Sequence, residues 1–263
     1  MTSVIRLAGF GGVYANHLAL QRVLDDTRDR GVAHVWCLGD LAGFGPVPER
    51  SVTLLRASGV PTVQGNYDHS LGHALADCAC GYSDPRDEQF AQLAYDYSAM
   101  RVGPGARAWM RGLPSEARLT LGGRRVLLCH GSPRRQNEFL WESACSDAFL
   151  AWLCDAYEAD VIVCSHTGIH WARELPPGRL VVNCGAIGRP AHDGRTNTWY
   201  AELSFTPERV GVEFRPVHYD HEALAREMEA EGLPPEFAQT IRTGWWTTCL
   251  GNTPAKELLA TSR

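Results

Sequence analysis

Basic tracts are missing from this chain. No dense run of Lys and Arg occurs, arginine greatly outnumbers lysine, and the formal net charge is −5 over 263 residues. That balance argues against a nucleic-acid-binding surface as the main business of the protein. There is no long apolar run and no charged leader ahead of one, since Met1 leads directly into Val4-Ile5-Arg6-Leu7. A signal peptide and a membrane span are therefore not expected, and the expected compartment is the cytoplasm. Internal repeats and low-complexity segments are absent too. Cysteine is not scarce, but its placement speaks against a disulfide framework. The nine cysteines are an odd number, and Cys37, Cys129, Cys164 and Cys184 lie in apolar strand-like segments, which suits reduced core thiols. Only Cys78-Ala79-Cys80 has a metal or redox spacing, and one Cys-x-Cys carries little.

What remains is an ordinary globular composition in a chain long enough for one large domain with appendages. The order of segments is informative. Strand-like Val4–Leu7, a helix pattern from His17 to Arg30, strand-like Ala33–Leu38, a helix pattern from Glu49 to Ser58 and strand-like Val60–Val63 read as β-α-β-α-β. That order predicts a parallel sheet with right-handed crossovers. Helices are expected over 69–76, 88–100, 104–111 and 144–158, with a long loop over 77–87 as the expected cap of a site. Gly122-Gly123 joins a predicted hairpin, buried strands are expected at Val161–Cys164 and Arg179–Asn183, and Trp199–Phe205 and Val210–Val217 alternate as antiparallel strands. Residues 1–217 form the main expected domain, and 218–263 a helical extension packed on it, carrying Trp245-Trp246. Gly9-x-Gly11-Gly12 lacks both the P-loop ending and the full dinucleotide spacing.

Gln64-Gly65-Asn66-Tyr67-Asp68 organises the chemistry. Asn66 follows an apolar run at a position where α/β sheets collect ligands. Three more apolar runs end likewise, at Asp40, His130 and His166. Singly, these are caps or hydrogen-bonded core histidines. Together, a carboxylate, an amide oxygen and two imidazoles make a mixed donor set suited to Mn, Fe, Zn or Co, and they predict a metal site.

The succession Gly39-Asp40, Gly65-Asn66-Tyr67-Asp68, His130-Gly131 and Ser165-His166-Thr167 resembles the calcineurin-like metallophosphoesterase superfamily. Leu38 to Pro46 and Asn183 to Pro190 resemble its small bacterial branch, with Ala186 at the branch's usual Ser. The resemblance spans residues 4 to about 217. It implies a four-layer α-β-β-α sandwich, metal at the strand ends, and phosphate mono- or diesters as small phosphorylated substrates of a phosphatase or phosphodiesterase.

The chain departs from that pattern at one half of the site. The family's Asp-x-His after the first strand is here Gly12 and Tyr14, aligned on Asn16, and the second His of its Gly-His-x-His is Gly168. These losses fall on one metal of the usual pair and leave Asp40, Asn66, His130 and His166 whole. Either one metal remains, or Tyr14, His170 or His17 rebuilds the second half. The family's acid is also replaced, by Tyr67, with His69 as a candidate substitute and Asp68 as an orienting group or helix cap. Arg134 and Arg135 are candidate phosphate anchors. Asn137, Arg189 and His192 are expected on the same face. The expected activity is metal-dependent hydrolysis. The alternatives are a non-hydrolytic phospho-ligand binder or regulator, and an iron protein with Tyr14 as ligand. Alanine at Asn66 is expected to abolish activity, and alanine at Gly168 to change little.

Overall fold

Successive side chains of a strand point to opposite faces, and that alternation sorts the apolar residues of this chain into layers. The computed structural model describes residues 4–259. Its first half runs β1 (Ile5–Phe10), α1 (His17–Asp29), β2 (His34–Cys37), α2 (Pro48–Ser58), α3 (Asn66–His73), α4 (Pro85–Arg101), α5 (Pro104–Arg111), β3 (Glu116–Leu121) and β4 (Arg124–Cys129). There follow α6 (Asp147–Ala156), β5 (Val161–Cys164), β6 (His170–Leu175), β7 (Arg179–Cys184), β8 (Thr198–Phe205), β9 (Val210–Val217), α7 (His221–Ala230), α8 (Pro235–Thr243) and α9 (Ala255–Leu259). The strands form two sheets, ordered β2-β1-β8-β9 and β3-β4-β5-β7-β6.

Val126, Leu128, Val161, Val163 and Val182 of the larger sheet meet Leu7, Leu203 and Phe205 of the smaller one between the sheets. Leu127, Cys129, Ile162 and Val181, one residue out of phase, face outward onto Leu150 and Leu153 of α6. Ala8 and Phe10 turn the other way, onto Leu20, Val23, Leu55 and Leu71 of the helices outside the smaller sheet. The result is the four-layer α-β-β-α sandwich. The sheets converge where their strands end. A Cβ at Gly11 would stand 2.5 Å from Ser165 Oγ, so only glycine permits this approach of the loops after β1 and β5.

Three local expectations are corrected. Both sheets are mixed, with β8 antiparallel beside β1. Val60–Val63 forms only a single parallel bridge, Thr62 to Cys37, in a segment where Pro61 lacks an N–H for a ladder. The helix expected from His69 begins at Asn66, because the Asp68 carboxylate accepts from Gly65 N at 2.9 Å and caps it three residues early. The edge strand β6 was not expected; its mixture of apolar and charged residues carries no clean alternation.

The last helices pack close to the strand ends. Leu224, Met228, Phe237 and Ile241 of α7 and α8 bury themselves against Phe44, Ala94 and Tyr97. Buried Asp87 of α4 accepts from Cys249 N at 2.6 Å and Gly251 N at 2.7 Å, which ties the following segment down. Cys78 and Cys80 are joined as a disulfide, and the other seven cysteines are free thiols. Among the described residues no helix is long and apolar enough to cross a membrane.

Candidate metal centre

Asp40 leaves β2 in a left-handed conformation, φ 58°, that aims its carboxylate back under the start of α3. Tyr67 N donates to its Oδ1 at 3.0 Å, and its Oδ2 lies 3.1 Å from His130 Nε2. His130 follows β4 and gives its Nδ1–H to the carbonyl of Leu38. That bond fixes the tautomer and turns the Nε2 lone pair inward. His166, after β5, also has a left-handed backbone, φ 59°, and places Nδ1 3.2 Å from His130 Nε2. One ligand atom each from Asp40, His130 and His166 therefore lies within 4.8 Å of the other two, and all three residues are buried.

Asn66 opens α3, one residue before the Tyr67 N–H that holds Asp40. Its Nδ2 donates to Cys78 O at 2.9 Å, while its Oδ1 is buried with no hydrogen-bond partner. Buried polar atoms are almost always satisfied, so an orphaned amide oxygen, next in sequence to the residue whose N–H holds Asp40, is available to a cation. The donor set fits a transition metal.

A proton on His130 Nε2, facing Asp40 Oδ2 at 3.1 Å, competes with a cation for the same lone pair. Burial opposes ionisation of both Asp40 and His130, yet each is the other's counter-ion. Asp40 is held below the ordinary carboxylate range and His130 above the ordinary imidazole range. Burial, and then the charge of His130, push His166 down to about 3, so it offers a neutral ring.

The residues proposed for catalysis are placed differently from one another. Asp68 is fully buried, and its carboxylate accepts from the backbone N–H groups of Asp40 at 2.8 Å, Leu41 at 3.1 Å and Gly65 at 2.9 Å. It positions Asp40. Burial and the Asp40 charge push it up to about 7 against those three bonds. The Tyr67 hydroxyl donates to Ala91 O at 3.2 Å, with its ring on the cavity wall. His69 turns away, toward Gln64 Oε1 at 3.2 Å and the His73 ring at 4.4 Å.

The candidate anchors and substitute ligands are scattered. Arg134 is neutralised by Glu138, Arg135 is exposed, and Asn137 donates to Ala79 O at 2.9 Å, tethering the loop before α4. His170 packs on Trp199 and Phe214, with ring centroids 4.9 and 4.6 Å away, and His17 faces Arg50 at 3.0 Å; neither turns to the centre. Tyr14 does line the cavity beside Asp40 and His166, as a phenol that burial pushes above its ordinary range.

Asp40, His166 and Arg189 were expected on one face from sequence, whereas Tyr82, Phe237 and Cys249 beside them were not. Arg189, His166, Asp40, Tyr82 and the later residues Phe237 and Cys249 line one small cavity of about 40 Å³. A Cβ at Gly168 would meet Arg189 Nη2 and the Trp246 ring at 3.2 Å, and one at Gly12 would meet Tyr14 Cζ at 3.0 Å. The two positions that lack ligands are thus covered by a guanidinium, an indole and a phenol. Phe139 packs at a tilt against His166, ring centroids 4.4 Å apart. His192 accepts from Trp246 N at 2.8 Å. Such long-range contacts leave no signal in local pattern.

Residues 12–204 match the model of the calcineurin-like phosphoesterase superfamily domain. The chain belongs to that superfamily. Its fold resembles that of a metallophosphoesterase from Sphaerobacter thermophilus, at 25% identity and TM-score 0.69, over 92% of this chain and 100% of that one. A hypothetical protein from Pyrococcus horikoshii shares the fold with TM-score 0.73 at 20% identity, over 92% of this chain and 99% of that one. An uncharacterized protein of Methanocaldococcus jannaschii is 22% identical over 90% of this chain and 98% of its own length. Within the calcineurin-like superfamily, this chain keeps a candidate metal triad and carries glycine at positions 12 and 168.

Proposed function

We propose that the protein is a metal-dependent hydrolase of phosphate mono- or diesters that works with a single transition metal (Mn, Fe or Zn). The observation that carries this reading is the convergence of the Asp40, His130 and His166 donor atoms; the orphaned oxygen of Asn66 is available as a fourth ligand. When bound there, such a metal supplies Lewis-acid polarisation of a phosphoryl oxygen and a water of lowered pKa. The protein's own residues do the rest. Leu38 O and Tyr67 N orient two of the ligands, Asp68 sets the backbone that carries them, and aromatic walls restrict water.

The Tyr67 hydroxyl is bonded to Ala91 O, so no strong acid stands over a leaving group. Esters with good leaving groups are the favoured substrates, because they depart without full protonation. The deciding experiment is hydrolysis of aryl phosphate mono- and diesters by protein loaded with Mn, Fe or Zn. Turnover that rises with metal and is lost in His130→Ala is expected; metal-loaded protein inert toward every ester would contradict the reading. The occupied Tyr67 hydroxyl also favours a second reading, a non-hydrolytic phospho-ligand binder, for which tight ligand binding without turnover is the sign.

A further inference from the structure

Arg189 is the one arginine or lysine among the residues that line the cavity, and no carboxylate among the described residues forms an ion pair with it. The side chain is 5% exposed, its Nε has no hydrogen-bond partner, and no ion pair among the described residues includes it. Buried charges are ordinarily paired, because desolvation is costly. One face of the guanidinium is answered by Trp246, whose ring centroid lies 3.7 Å from Cζ. Cation–π contact offsets part of the charge but uses none of the N–H donors.

The backbone on both sides of Arg189 is held. Asn16 Nδ2 donates to Ile187 O at 3.4 Å and Gly188 O at 3.3 Å, and Trp246 Nε1 donates to Pro190 O at 2.7 Å. The result is a rigid, buried fork of donors in the cavity that Asp40 and His166 also line, with Nε unpartnered and, among the described residues, only the Cys249 thiol as a near side-chain acceptor. We propose that Arg189 is an oxyanion anchor, whose guanidinium holds a phosphoryl-class oxyanion in the cavity next to the Asp40, His130 and His166 donors. Planar guanidinium matches such oxygens bidentately. A cavity of 40 Å³ admits about three waters or one compact oxyanion. A whole nucleotide does not fit without movement of Phe237 and Cys249. The assignment deepens the hydrolase reading and rests on it only for the phosphoryl nature of the anion.

The test is calorimetric titration of inorganic phosphate into the full chain, metal-free and metal-loaded, for wild type, Arg189→Met and Arg189→Lys. Metal content is measured on the same samples. Wild type is expected to bind phosphate and to melt at higher temperature in its presence. Arg189→Met is expected to bind about 100-fold more weakly and to lose the phosphate-dependent rise in Tm, with metal content unchanged. Arg189→Lys, which keeps the charge without the fork, should fall between the two, and it carries the test if the methionine variant does not fold. A purely structural arginine would alter Tm equally with and without phosphate. Equal phosphate affinity in wild type and both variants, or no phosphate binding by wild type in either metal state, would overturn the anchor. Absence of metal from wild type overturns the hydrolase reading separately, since the phosphate comparison still stands in metal-free protein.

Discussion

Replacing Asp68 by alanine should do more damage than replacing any ligand it supports. The carboxylate is fully buried and serves three backbone N–H groups, those of Asp40, Leu41 and Gly65. A buried donor left without an acceptor costs about 1–3 kcal/mol. Three such groups, with some relief from water entering the space, amount to about 3–6 kcal/mol, a large share of the roughly 5–15 kcal/mol that holds a domain together. Both the ionised and the protonated carboxyl still accept, so the upward-shifted pKa of Asp68 does not lessen the loss. Asparagine keeps one oxygen and turns an amide N–H toward a backbone N–H, so it should cost about 1–3 kcal/mol. Metal affinity should drop too, about 10–100-fold, because Asp40 loses the bond that sets its backbone. Urea denaturation followed by the fluorescence of the tryptophans, with metal titration beside it, measures both effects. If Asp68→Ala unfolds within about 1 kcal/mol of wild type and binds metal equally well, the argument from buried donors is refuted.

Asn66→Ala should weaken metal binding beyond the roughly 10–100-fold typical of an outer partner, whereas His170→Ala, packed between Trp199 and Phe214, should leave metal content unchanged by elemental analysis. Gly168→Ala, expected from sequence to change little, should instead destabilise by about 1–2 kcal/mol from its left-handed backbone alone. Its φ is 81° and its new Cβ presses on Arg189 and Trp246, so a thermal melt as stable as wild type would contradict the packing described. Glu202 is 7% exposed and accepts from Arg30 Nε at 3.0 Å and Nη2 at 3.2 Å. Burial alone would raise its pKa, but Arg30, Arg215 and Arg6 hold it below the ordinary range. Its stabilisation is therefore present above the unfolded value of about 4.3 and lost as pH falls through the lower folded value. Glu202→Gln should cost about 2 kcal/mol at neutral pH and flatten the loss of stability between about pH 5 and 3; parallel urea profiles would speak against it.

The strand ends were legible because each ligand follows a short apolar run, and the unbroken apolar residues of Val161–Cys164 and of the second half of Arg124–Cys129 report burial on both faces directly. Asp40, Asn66, His130 and His166 could be named on that basis, and three of them converge in space. The start of α3 was not legible, since it depends on the Asp68 carboxylate reaching back to Gly65. The strand status of Val60–Val63 failed on Pro61, whose missing N–H outweighs an apolar pattern. Arg134 looked like an anchor because it follows a ligand, but Glu138 four residues on neutralises it. Arg189 was expected on the site's face without a role, because its burial without an ion-pair partner exists only in three dimensions. The contribution of Phe237, Trp246 and Cys249 was hidden for the same reason, being contacts across more than fifty residues.

The most direct test of the account is metal content per chain, by elemental analysis of protein purified without added metal and again after loading with Mn, Fe or Zn. One metal per chain, lost together from Asn66→Ala and His130→Ala and kept in His170→Ala, is the predicted result. Two metals per chain, or none even after loading, would contradict it.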